Sequence, residues 1–289
     1  MVDTFLRADQ ATLIKQAYAT DEHLATRIRI HEIYSEPKID FQKWVVDSMQ
    51  WRGDEWVLDV GAGPGTYFSL VAQRIPRGRL FAGDLSMGML RQAQQHPQVD
   101  QIQLLNLDAQ RLPFADGMFD AVLANHMLYH VPDVEKAIKE IKRILKPNGC
   151  LIAATNSADT MPEIDTLMRR ACTLLGYPKQ DVTPAHSAFA LENGTVLVAR
   201  NFRAVARYDI PSALRFPEVA PVMDYLNSTQ ALRSPQLPPG IGWDEFMGVM
   251  EKQITRLIRH FGELQVQKLA GVLIGTNGGG FAEDYLQKL

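Results

Sequence analysis

The 289-residue chain has only two cysteines, Cys150 and Cys172, one in an apolar strand-like run and one in a helical pattern, at no metal or disulfide spacing. That scarcity argues against a disulfide framework or a cysteine-ligated metal, and leaves two buried thiols as the reading. Long hydrophobic runs are lacking, and the first ten residues alternate charged with apolar side chains, so neither a membrane span nor a signal peptide is expected. An excess of one charge is lacking too. The 30 Lys and Arg against 33 Asp and Glu leave a formal net charge of −3, which offers no general attraction to nucleic acid or to an anionic membrane. Repeats and low-complexity tracts are absent. The expectation is a cytoplasmic protein working on small molecules. With 46% hydrophobic and 22% charged residues, the chain has material for one large globular domain with additions.

What is present is concentrated in Trp56-Val57-Leu58-Asp59-Val60-Gly61-Ala62-Gly63-Pro64-Gly65-Thr66, a buried strand that breaks into a glycine-rich turn at a helix start. Gly61, Gly63 and Gly65 permit positive φ and close approach of a ligand to the backbone, and Pro64 suits a first helical turn. Asp59 is a carboxylate where a core strand would carry Val or Ile, and so asks for a functional explanation. In the dinucleotide fingerprint the third glycine follows the second by three positions; here that position is Thr66 and the glycine comes early, at Gly65. No Gly-Lys-Ser/Thr follows, which excludes a P-loop.

Further short strands also close on polar residues. Gly78 to Asp84 ends in an acid placed to accept from ribose hydroxyls, Ile102 to Asp108 ends in another, and Met118 to Asn125 is followed by His126. Polar ends on successive β-segments mark one edge of one sheet, where ligands bind in open α/β folds.

These motifs, in this order, resemble those of the class I S-adenosylmethionine (SAM)-dependent methyltransferases of the small-molecule, bacterial type. Residues 57–65 look like the family's first motif, 83–86 its second, 107–122 its third with the approach to the fourth, and 125–156 the region that follows. The resemblance is close over roughly residues 50 to 160 and holds only in outline elsewhere. It implies that the turn of Gly61, Ala62, Gly63 and Gly65 holds the methionine part of SAM, and that Asp59 helps to place its ammonium through water. It implies also that Asp84 binds the ribose, that Leu85 and Ser86 border the adenine, that Asp108 meets the adenine amino group beside Ala109, and that Asn125 and His126 complete the cofactor site. A sulfonium cofactor with an ammonium suits such an acidic cradle; a pyrophosphate would not.

The implied fold is α/β: a Rossmann-like, seven-stranded, mostly parallel sheet with a final antiparallel hairpin, an N-terminal helical lid and a helical insertion before the last strand. Residues 1–50 would form the cap, 51–210 the SAM-binding core, 211–262 the insertion acting as a substrate lid, and 263–289 the last strand and tail. Helices are expected near 10–35, 40–49, 64–75, 86–95, 133–145, 162–175, 217–228 and 243–261. Strand material is expected at 150–155, 195–199, 204–210 and 264–274.

His126, Tyr129 and His130 follow the strand that faces the transferred methyl in this family. His126 or His130 could accept a substrate proton, or could serve only as a loop hydrogen bond or helix cap. Arg27, His31 and Tyr34 fall on adjoining faces of a helix, 26–35, that is similar to the family's lid; the alternative is an amphipathic helix packing Ile28, Ile30 and Ile33 on the core. The basic series Lys136, Lys139, Lys142, Arg143 and Lys146 is interleaved with Glu135 and Glu140 and reads as a solvated helix end rather than a nucleic-acid patch. Met87, Met89, Met118 and Met127 have no Cys or His at ligand spacing, so no metal is expected. The reading is a SAM-dependent methyltransferase delivering a methyl to an O, N, S or C nucleophile of a small molecule. The alternatives are a non-catalytic SAM-binding module and an NAD(P)-dependent oxidoreductase.

Overall fold

The computed structural model describes residues 22–177 and 188–278, so the expected helical residues 10–21 lie outside the described residues. One eight-stranded sheet runs through the molecule in the order β1-β7-β8-β6-β5-β2-β3-β4. Its parallel half comprises β2 (Trp56–Val60), β3 (Arg79–Asp84), β4 (Ile102–Asn106), β5 (Phe119–Leu123) and β6 (Leu145–Asn156), and β7 (Ala204–Phe216) and β8 (Leu264–Thr276) add the antiparallel hairpin. The eighth strand, β1 (Ser35–Glu36), is a two-residue pairing with Leu214 and Ala213 of β7; the other seven make up the expected sheet.

After β2 the chain builds outward to β3 and β4, then returns to place β5 on the other side of β2. The carboxyl ends of β2 and β5 therefore diverge at a topological switch point, which opens a crevice for a ligand. Two cores cover the faces of this sheet. On one, the Val134–Ile144 helix buries Val134, Ala137, Ile138, Ile141 and Ile144 at helical spacing, and Asp133 caps it by accepting from Lys136 N at 2.9 Å. On the other lie the Phe41–Val46 and Phe68–Arg74 helices. A third core joins Ile30 of the Glu22–Tyr34 helix to the helices Pro162–Leu174, Val219–Asn227 and Trp243–Phe261. The N-terminal helix and the insertion thus share one apolar interior.

Two expectations are corrected. Residues 195–199 are the end of a helix, Leu191–Ala199, and not a strand. Leu191, Gly194 and Val198 form its buried stripe, and it packs so closely on β8 that a Cβ on Gly194 would stand 2.8 Å from Leu273. Strand β7 continues past residue 210 to Phe216 in unbroken register with β8, so the insertion begins at 217 and not 211. Pro147-Asn148-Gly149, just past the end of the Val134–Ile144 helix, are drawn into β6. Two residues of the basic series form ion pairs: Arg143 with Glu140 and Asp116, and Lys146 with Asp120.

Replacing Ile138, fully buried under the sheet, with Ala should cost about 2–5 kcal/mol of stability in a urea unfolding experiment. A loss under about 1 kcal/mol would contradict this packing.

Candidate active site

The site is built where β2 ends. Gly61 N and Ala62 N both donate to Gly83 O, at 2.7 and 3.1 Å, which binds the turn to the end of β3. Gly65 has φ of 91°, and a Cβ there would lie 2.6 Å from the Phe68 ring, so glycine is required for the chain to swing into the next helix. Gly63 has φ of 55° and no heavy atom within 4 Å of where its Cβ would be, so that position is open. Its N–H donates to Asp84 Oδ2 at 2.9 Å, while Asp84 Oδ1 accepts from Ser86 N at 2.8 Å.

A single cavity of about 660 Å³ runs from this turn toward the insertion. Asp59, Gly61, Ala62, Gly63, Asp84, Leu85, Ser86, Asp108, Ala109, Asn125 and His126 all line it; Gly65 does not, and its part is to shape the turn. Asp59 is 2% exposed, and its Oδ2 has no hydrogen-bond partner. Burial, reinforced by the Asp84 carboxylate, pushes its carboxyl up to about 8. Burial also raises Asp84, against the lowering effect of the backbone N–H groups of Ser86, Gly63 and Leu85. Asp108 at the next strand end is held by Gln110, whose backbone N donates to Oδ1 at 2.8 Å and whose Nε2 lies 3.2 Å from both oxygens.

These residues fit SAM. A buried carboxylate oxygen without a donor is satisfied by a cation, and the cofactor brings an ammonium and a sulfonium. The open space over Gly63 admits a ligand against the backbone, and Asp84 and Asp108 keep acceptor capacity beyond their backbone bonds for ribose hydroxyls and an amino group.

The other end of the cavity belongs to the cap. Asn125 is buried; its Oδ1 accepts from Ala154 N at 3.1 Å, and its Nδ2 has no partner. His126 has a left-handed backbone (φ 53°), its N–H donates to Ala154 O at 2.8 Å, and its ring lies 5.3 Å from that of Phe41. Burial and then the Lys268 charge hold its imidazole at about 4, so it is neutral at pH 7. His130 lines the cavity with its ring 4.4 Å from that of Tyr129. Arg27 reaches the cavity and its Nη1 donates to Ser228 O at 2.9 Å, and His31 lies 2.9 Å from Lys268 Nζ. Tyr34 does not line the cavity; its ring sits 5.1 Å from Phe216. Of the three isoleucines expected to pack this helix on the core, Ile30 is buried in the third core, Ile28 lines the cavity and Ile33 is exposed. Sequence reasoning missed Lys268, Tyr225 and the Asp165–Arg233 pair, which also line the cavity. For Lys268 a signal existed: one lysine in the apolar alternation of the last strand. Among the described residues no cluster of His, Cys, Asp and Glu could hold a metal, and no helix is long and apolar enough to cross a membrane.

Residues 58–153 match the family model of a methyltransferase domain. The chain is 34% identical over 111 residues to a malonyl-acyl-carrier-protein O-methyltransferase of Legionella pneumophila, an alignment covering 38% of this chain and 39% of that protein. It is 29% identical over 161 residues to a ubiquinone/menaquinone biosynthesis C-methyltransferase of Desulfotalea psychrophila, covering 54% of this chain and 64% of the relative. The chain thus spans less than two thirds of the length of these curated relatives. The structure of a Haemonchus contortus phosphoethanolamine N-methyltransferase, solved with S-adenosylhomocysteine, superposes with a TM-score of 0.56 at 14% identity, covering 92% of this chain and 59% of that one. Over residues 58–153 the chain carries a methyltransferase domain of the class I SAM-dependent type. The cofactor of that domain is SAM.

At pH 7 the Asp59 carboxyl, pushed up to about 8, holds a proton that a bound cation must displace. Affinity should therefore rise as pH increases toward 8 and level off above it. Calorimetry of S-adenosylhomocysteine at pH 7, in buffers of different ionisation enthalpy, should report about one proton released by the wild type and markedly less by Asp59→Asn. Equal proton counts would remove Asp59 from this role.

Proposed function

We propose that the protein is a cytoplasmic enzyme that transfers the methyl of SAM to a small molecule held between the strand-end acids and the helical cap. The observation that carries this reading is the continuity of the cavity from Asp59, Asp84 and Asp108 to Arg27, His31, Tyr225 and Lys268. The two unpaired, buried cysteines fit a reducing compartment. SAM supplies, when bound, a methyl group on a positively charged sulfur, so the leaving group needs no further acid. The chain's part is then to bind, orient and exclude water.

In this reading Asp84 accepts from the ribose hydroxyls while the N–H groups of Gly63 and Ser86 fix its carboxylate. Asp108 accepts from the adenine amino group, Asp59 takes the ammonium, and Asn125 offers its unpartnered Nδ2. His126, neutral at pH 7 but held at about 4 and so a weak base, is the first candidate to take a proton from a hydroxyl or amine nucleophile at an imidazole nitrogen. His130 is the second candidate for that step. The Glu22–Tyr34 helix and residues 217–263 form the roof.

Asp84→Ala should weaken S-adenosylhomocysteine binding by about 1.5–3 kcal/mol, the range for hydrogen bonds to a charged group. Wild-type affinity in that variant would contradict the assignment. A panel of O, N, S and C acceptors, read by S-adenosylhomocysteine release, tests the activity: cofactor binding with no turnover on any of them would favour a non-catalytic SAM-binding protein.

The roof has its own test. Lids of this kind open and close on the microsecond to millisecond scale, so hydrogen exchange should show added protection from Arg27 to Ser35 and within 217–263 when S-adenosylhomocysteine is bound. Unchanged exchange in both segments would show that neither acts as a lid.

A further inference from the structure

Strand β8 presents an apolar row that runs from the third core, at Leu264 and Val266, past the cavity to the second, at Val272 and Ile274. Leu264, Val266, Ala270, Val272 and Ile274 are all buried, and the remaining place in that alternation is taken by Lys268. Its Nζ lies 2.9 Å from His31 Nδ1 and donates to Ser35 Oγ at 3.1 Å. Neither partner carries a negative charge. Among the described residues Lys268 forms no ion pair with a carboxylate. The acid within the cap end of the cavity, Asp165, is paired with Arg233 at 3.2 Å, and Glu32 lines the cavity but is exposed.

A half-buried ammonium without a counter-ion is costly to keep. Burial alone lowers Lys268 to about 8, so it remains largely charged at pH 7. The imidazoles nearest to it do not offset this. His31 is held at about 3 and His126 at about 4, by burial first and by the Lys268 charge next, so both are neutral. Arg27 adds a second positive charge on the same wall. Tyr225, edge-on to His31 at 5.8 Å and raised by burial, stays protonated. Lys268 thus places a positive charge at one end of a cavity whose other end is lined by Asp59, Asp84 and Asp108.

We propose that Lys268 binds a carboxylate of the methyl acceptor, with His31 and Ser35 holding the ammonium in position. This rests on the methyltransferase reading above and narrows its substrate to a small organic acid. One compact ammonium set among Ile28, Ile210 and Ala270 suits a monoanion on an apolar body. A phosphoryl dianion would call for paired guanidinium forks or a cradle of backbone N–H groups.

The test uses protein saturated with S-adenosylhomocysteine and a matched pair of probes, 3-phenylpropanoate and 3-phenylpropanamide, titrated by calorimetry. At pH 7 the carboxylate should bind roughly tenfold or more tightly than the amide. Lys268→Met should erase that preference, and Lys268→Arg should keep it. Between pH 7 and 10 the wild-type preference should fall while that of Lys268→Arg persists, which separates Lys268 from Asp59, a group that titrates in the same window. Should the Met variant fail to fold, the wild-type and Arg profiles still decide. Equal binding of the two probes, no saturable carboxylate binding, or a preference that survives in Lys268→Met would each overturn the proposal. S-adenosylhomocysteine affinity on the same wild-type sample tells the two readings apart: its loss sinks the methyltransferase reading, whereas intact affinity without carboxylate preference sinks only the Lys268 subsite.

Discussion

The hydrogen bond from Gly63 N to Asp84 Oδ2, 2.9 Å long, is the interaction on which the site depends. It ties the loop after the first core strand to the side chain that ends the second, so the turn and the acid keep one geometry. The Gly61 and Ala62 amides on Gly83 O reinforce the same junction from the backbone side. A carboxylate oxygen has more than one acceptor site, so Asp84 can hold the turn and still receive a ligand hydroxyl. Asp59 lies on the neighbouring strand, paired with Ala82, and therefore inherits this fixed frame. Burial keeps its carboxyl protonated at pH 7, which lowers the cost of leaving that oxygen without a partner.

The cap is organised by packing instead. Ile30 enters the apolar interior formed by the Pro162–Leu174, Val219–Asn227 and Trp243–Phe261 helices, while Arg27 and His31 on the same helix reach the cavity. The long β7–β8 hairpin extends the sheet to Phe216 and Leu264 and supplies the floor under these helices. A segment from before the first core strand and one from between the last two thus form a single body. Motion of one without the other would break the shared core.

The sequence made the cofactor edge legible because chemistry there is local: each acid closes its own strand, and the glycines follow directly. Strand β2 and the Trp243–Phe261 helix fall at the expected residues, since both carry strong, uninterrupted patterns. Residues 195–199 misled because Thr195, Val196 and Val198 favour strands, and only contact with Leu273 and Phe189 around Gly194 shows the helical stripe. Pro211 suggested a strand end, yet β7 pairs with β1 only at Ala213 and Leu214, so at residue 211 its outer edge needs no N–H. The Lys268 end of the cavity stayed hidden for a different reason. Lys268, His31 and Ser35 are brought together across more than 230 residues of chain, and no spacing rule reaches that far. Tyr34 shows the converse, since helical spacing put it beside His31 but its ring turns onto Phe216.

Charge divides the cavity into two ends, and in the proposed reading that division orients the reaction. Carboxylates line the glycine-turn end, whereas Lys268 and Arg27 stand at the cap. A cofactor bearing an ammonium and a sulfonium is attracted to the first end and repelled from the second, so the methyl is presented in one direction. An organic acid experiences the opposite field and is drawn to the cap. The same lysine also helps to keep His31 and His126 uncharged, so they add no further positive charge beside it, and both are weak bases. The polarity of the cavity then rests on one group at its far end, a half-buried ammonium in the last strand.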